Sequence, residues 1–316
     1  MNIKVGVYSS GRSISDLRLR VSIHSSESSL MEKYKLIAKI KKGVFQGLCL
    51  LSSQTVTLKQ LGFPDNEGVP GSLIKEITLL QAMRHANIIK LIDVVNHQEQ
   101  SSIVLVYESM ETNLTSFIRI YPKVMKIPRT IKELLRQILL AVSYYHSFDI
   151  VHGGIKPANT FIDPATNTLK ITDFVWPRTL FNSNTEDPNE ELGFCYKAPE
   201  ILVEHKQFST AIDVWSVGCI FAEMVTQKPL FSATSEFHQL AKIFSIVGTP
   251  SEETWPGFSR IYRYLHIYSH CKPKDLRKLV PGLEPAGIDL LHKLLYMDPK
   301  GRITARQALE HVYFQN

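Results

Sequence analysis

The side chains best placed for polar chemistry at close spacing lie in the run Val151-His152-Gly153-Gly154-Ile155-Lys156-Pro157-Ala158-Asn159. Lys156 brings a positive charge and Asn159 an amide, and Asp173-Phe174-Val175 adds a carboxylate further on. Between His152 and Lys156 stand two consecutive glycines, which can neither accept nor deliver a proton. The sulfur chemistry is sparse by comparison. Cys49, Cys195, Cys219 and Cys271 are scattered, and no pair has metal-ligand spacing, so reduced structural thiols are expected.

The elements that must hold these residues can be read from the pattern around them. The chain has 316 residues, of which 44% are hydrophobic, enough for a large core or two lobes. The net charge of +6 comes from 36 basic and 30 acidic residues mixed along the chain, so no nucleic-acid face is expected. No apolar stretch has the length of a membrane span. Residues 1–30 are rich in serine and arginine and poor in acids, which reads as a disordered extension, with an organelle-targeting leader as the alternative. Tyr34–Ile40 alternates, Thr55–Lys59 is β-prone, and Leu91–Val95 and Ile103–Tyr107 read as further strands. Pro70 precedes a helical stretch to about Arg84, with Leu73, Ile77 and Leu80 on one stripe. Helices are expected over Ile131–His146 and, more apolar and buried, over Ala211–Val225. Thr304 and Gln307 fit a capping box that opens a last helix. A strand-rich part followed by a helical part points to a two-lobed α+β domain.

A series of motifs then occurs in a fixed order. Val56-Thr57-Leu58-Lys59 resembles the Val-Ala-x-Lys strand of protein kinases. Pro70-Gly71-Ser72-Leu73-Ile74-Lys75-Glu76 resembles the Pro-Ser-Thr-Ala-Ile-Arg-Glu helix of cyclin-dependent kinases. The run from Val151 to Asn159 is similar to the catalytic loop His-Arg-Asp-Leu-Lys-Pro-x-Asn, with Arg and Asp replaced by Gly153 and Gly154. Asp173-Phe174-Val175 resembles Asp-Phe-Gly, and Ala198-Pro199-Glu200 ends the activation segment. Asp213–Ile220 matches the buried helix beyond it, and Arg302 sits where the family pairs an arginine with Glu200.

The resemblance runs from about Met31 to Phe314. It implies an α+β, bilobal protein-kinase fold, with a small antiparallel-sheet N-lobe and one key helix over about 31–110. A larger helical C-lobe follows over about 111–314. It also implies ATP and Mg²⁺ as cofactors, and a cyclin bound against the helix carrying Ile74 and Lys75. Gly43, Leu48, Lys59, Glu76, Glu108 and Phe161 would bind the nucleotide, with Glu76 as the ion-pair partner of Lys59. Asn159 and Asp173 would hold the metal, and Lys156 would meet the transferring phosphate. The resemblance implies protein substrates or docking partners, and a nuclear or cytoplasmic location.

The departures fall on the same sites. The catalytic base is lost at Gly154. The family's glycine-rich loop reads Lys41-Lys42-Gly43-Val44-Phe45-Gln46, in which only Gly43 stays; Gly47 could serve only after a register slip. Thr57, Tyr107 and Phe161 imply a narrower adenine pocket. Val175 resists the positive φ that glycine allows. Pro188 stands at the usual phosphothreonine, and of its three clamping arginines Gly153 and Lys75 replace two while Arg178 remains. The sequence therefore reads as a catalytically impaired, cyclin-dependent-kinase-like protein that acts by binding. The alternative reading is a weakly active serine/threonine kinase.

Overall fold

The computed structural model describes residues 24–25, 33–63, 69–97, 102–173, 194–203, 209–233, 235–261 and 270–315. The chain divides into two units, Met1–Glu111 and Thr112–Asn316.

The first unit is a sheet with one helix. Its strands are β1 (His24–Ser25), β2 (Tyr34–Lys41), β3 (Val44–Cys49), β4 (Thr55–Gly62), β5 (Leu91–His97) and β6 (Ser102–Glu108). They lie in the order β1-β5-β6-β4-β3-β2. Strands β2 to β6 pair antiparallel, and the two-residue β1 adds in parallel to β5, with His24 opposite Val95. Nothing in the serine-rich composition of residues 1–30 foretells that short pairing. On one face of the sheet Tyr34, Val56, Leu58, Val95, Val104 and Val106 form a buried cluster, closed by Phe45 and Cys49. Helix α1 (Gly71–Ala82) buries Ile77 and Leu80, two of the three stripe residues read from the sequence. Strand β2 differs from its alternating sequence pattern, because only Tyr34 is buried and the next seven residues are exposed. It is an edge strand interrupted by two register shifts, so the period-2 pattern has no second layer to bury it.

The second unit is mainly helical. A small sheet of β7 (Thr112–Asn113), β8 (Thr160–Asp163) and β9 (Thr168–Ile171) carries the loop of interest at its entry. Helices α2 (Leu114–Ile120) and α3 (Pro128–His146) come before it. Then follow α4 (Pro199–Leu202), α5 (Ala211–Thr226), α6 (Glu236–Val247), α7 (Phe258–Ile261), α8 (Leu276–Leu279), α9 (Pro285–Leu294) and α10 (Ala305–Leu309). Helix α5 is buried from Ile212 through Met224, which is why its sequence is apolar all round rather than striped. The expected capping box opens α10: Gln307 N–H donates to Thr304 Oγ1, and Thr304 N–H donates to Gln307 Oε1.

Glu200 and Arg302 meet as expected, with side chains only 1% and 0% exposed. Arg302 Nη1 and Nη2 donate to the two carboxylate oxygens at 2.6 and 2.9 Å. The remaining guanidinium donors reach the carbonyls of Tyr296, Ala211 and Met297, and the group stacks over Trp215. Every charge in this pair is hydrogen-bonded, which a buried ion pair requires. The four cysteines are free. Burial pushes the Cys195 and Cys219 thiols up, which keeps them protonated and inert. Among the described residues no helix is long and apolar enough to cross a membrane.

Candidate active site

In the first unit, sheet register decides which residues share a face. Val44 pairs with Lys59 and Lys59 with Leu105; Gln46 pairs with Thr57 and Thr57 with Tyr107; Leu48 pairs with Thr55. Directly paired residues project to the same side, and side chains alternate along a strand. Lys59, Leu48, Thr57, Gln46 and Tyr107 therefore lie on one face, opposite the buried cluster of Val56 and Leu58. Lys59 is half-buried there. Gln46, Thr57 and Tyr107 form a cross-strand row of side chains larger than the small residues the family carries at the first two positions.

Glu108 does not join this group through its side chain. It pairs with Val56, on the opposite face, and its carboxylate accepts from Lys90 N–H at 2.7 Å. Its backbone N–H likewise donates to Lys90 O, at 3.2 Å. Gly43 lies in the turn between β2 and β3 at φ +70, and a Cβ there would stand 3.1 Å from the Gln60 carbonyl. The angle favours glycine and the approach is tight for any side chain, and Gln60 N–H donates back to Gly43 O at 2.7 Å. Gly47 is a packing glycine, since a Cβ would collide with the Leu58 side chain at 2.8 Å. The register slip that would bring Gly47 into the turn does not occur. Glu76 lies on α1, one residue before buried Ile77, and its side chain is outside the described residues, as is that of Lys75.

In the second unit, the double-glycine loop is tightly held. Asp213, in the first turn of α5 and 1% exposed, accepts three hydrogen bonds. His152 N–H and His146 Nε2–H donate to Oδ2 at 2.9 Å each, and Gly153 N–H donates to Oδ1 at 2.8 Å. The His152 ring ties the other side: Nε2–H donates to Thr172 O at 2.9 Å, and Nδ1 accepts from Gly154 N–H at 3.2 Å. That pattern fixes one neutral tautomer, and burial holds the imidazole below its ordinary range. Asn159, 4% exposed, closes the loop: its Nδ2–H donates to Gly154 O, and its Oδ1 accepts from Lys156 N–H at 3.0 Å. Gly153 has φ +74, whereas Gly154 does not have a positive φ. The loop thus keeps a defined backbone path without either side chain the family would place there.

The sheet brings the backbones of Asn159 and Asp173 near one another. Thr172 N–H donates to Asn159 O at 2.9 Å, which extends the β8–β9 pairing by one residue and delivers Asp173 next to it. Asp173 has φ +58, unusual for a residue with a Cβ and often found at functional positions. One carboxylate and one amide oxygen are the donors Mg²⁺ takes from protein, with water and phosphate completing its shell. Asn159 Oδ1 keeps a lone pair beyond its bond to Lys156 N–H, so the donor set fits. Phe161 pairs with Asn113 and Lys170 and is half-exposed between buried Thr160 and Ile162, so it projects from the face of β8 opposite those two residues. Phe174, Val175, Arg178, Pro188 and Gly193 lie outside the described residues.

The sequence reading missed the part played by Asp213, His146 and Thr172. The available signal was an acid in the first turn of a mostly apolar helix, where a carboxylate needs donors. Comparison with known families gives a match to the one described as the protein kinase domain, over residues 42–314.

Proposed function

The chain belongs to the protein kinase family, and from that premise we propose that it is a cyclin-dependent-kinase-like member with impaired phosphotransfer that acts mainly by binding. The observation that carries this reading is the state of position 154. The backbone there is held by His152 Nδ1 and by Asn159 Nδ2, yet no side chain is present to take the substrate hydroxyl proton.

The retained groups suit a nucleotide. Lys59 projects from the sheet face opposite the hydrophobic cluster, where it would pair with the α- and β-phosphates. Asn159 and Asp173 would hold Mg²⁺, which when bound neutralises charge on the phosphates. Lys156, whose N–H is fixed to Asn159 Oδ1, would meet the transferring phosphate. The proton of an attacking hydroxyl, however, finds no side-chain acceptor at position 154. A positioned base contributes roughly 10²–10⁴-fold in rate, or about 3–5 kcal/mol of barrier. ATP would then serve chiefly as a ligand that stabilises the fold by mass action.

Helix α1, with Ile74 half-buried, is the surface we assign to a cyclin, and the nucleus or cytoplasm is the location that goes with this role. The second reading, a slow but genuine serine/threonine kinase, is favoured by the survival of Lys59, Lys156, Asn159 and Asp173 together. Thermal unfolding with and without Mg–ATP, beside Lys59→Met, tests the binding claim. Stabilisation that vanishes in the variant is expected, and no stabilisation of the wild type would refute it.

A further inference from the structure

The free edge of the first unit's sheet carries an unusual combination of side chains. Among the described residues β2 pairs only with β3, so one side of its backbone is open. Leu36, Ile37 and Ile40 on this strand are 48%, 54% and 59% exposed. Lys35, Lys39 and Lys41 are interspersed with them, Lys42 follows, and all four are exposed. No acidic residue occurs from Lys33 to Pro64. Lys33 is paired with Asp93 at 3.3 Å, but the four exposed lysines have no ion pair among the described residues.

Three physical consequences follow. An open strand edge is a template for another strand, through main-chain hydrogen bonds. Lysines along the edge oppose pairing with a second copy of β2, because an antiparallel self-pair centred on Ala38 would set Lys35 against Lys41. The same lysines favour an acidic strand, and the exposed leucine and isoleucines add apolar contact for its intervening side chains. We propose that β2 is a docking edge for an extended acidic peptide of a partner protein, with carboxylates and apolar residues interspersed, added as a further strand of the sheet.

The test uses the full chain and a short fluorescein-labelled peptide of alternating glutamate and valine. Fluorescence anisotropy gives the affinity, and hydrogen exchange reports the backbone amides of residues 36–41. Binding that weakens with salt and protects those amides is expected. The double variant Lys35→Glu, Lys39→Glu should bind about tenfold or more weakly, with an unchanged unfolding temperature. Absence of binding, or binding without protection of β2, would overturn the proposal. So would equal binding of a single-stranded oligonucleotide or of phosphatidylserine vesicles through the same residues, since the edge would then be a general polyanion surface. Protection of β2 that rises with protein concentration without peptide would overturn it in favour of a second copy.

Discussion

Removing Asp213 tests whether the double-glycine loop is anchored from α5. In Asp213→Ala the acceptor of three hydrogen bonds disappears, and the N–H groups of His152 and Gly153 lose their partner. A buried donor left unsatisfied costs about 1–3 kcal/mol. His152 is fully buried, whereas Gly153 is half-buried and can be reached by water. Two orphaned N–H groups, one partly rescued, give a loss of about 2–4 kcal/mol. That is a large share of the roughly 5–15 kcal/mol stability of a typical domain. The assay is urea denaturation of wild type and variant, with hydrogen exchange at residues 152–154. Asp213→Asn, which keeps one acceptor oxygen, should fall between the two. A loss below about 0.5 kcal/mol with the three amides still protected would refute the anchoring argument.

Two further outcomes follow from other contacts. Arg302→Met leaves Glu200 buried and unpaired, so a loss of about 3–5 kcal/mol is expected by urea denaturation; near-neutral behaviour would mean that Glu200 finds another partner or water. His152 is held below its ordinary 6.5 in the folded chain, so the unfolded chain binds more protons as pH falls below that value. Stability should therefore decline from pH about 6.5 downward, by at most about 1.4 kcal/mol per pH unit from this group. Unfolding temperatures from neutral to mildly acidic pH should show a shallower decline in His152→Gln, and parallel profiles would count against the buried neutral histidine.

Much of the fold could be read locally because its elements bury one consistent face. The α1 stripe of Ile77 and Leu80, the mostly apolar α5 and the Thr304–Gln307 capping box each need only neighbouring residues to be recognised. Strand β2 misled because alternation in sequence does not say whether a second layer exists to cover it. At the site, residue identity pointed to Lys59, Asn159 and Asp173 as candidates through resemblance, but facing depends on register. Glu108 ends on the far side of the sheet for that reason, and Gly47 packs against Leu58 instead of entering the turn. The anchoring of the loop was illegible because Asp213 is far from Gly153 in sequence, and a hydrogen bond across that separation leaves no local pattern. The positive φ of Gly153 and Asp173 is likewise set by the tertiary path.

The same backbone geometry singles out the decisive measurement. Gly153 sits at φ +74, where a side chain is strained, but Gly154 does not have a positive φ, so 154 is the position of the pair to receive the aspartate. The initial rate of phosphate transfer from Mg–ATP to a protein substrate should be measured for wild type and Gly154→Asp, each beside its Lys59→Met form. A base restored on an intact loop should raise the Lys59-dependent rate by about 10²–10⁴-fold. Equal rates with and without the aspartate would contradict the account, since the missing base would then not be what limits this protein.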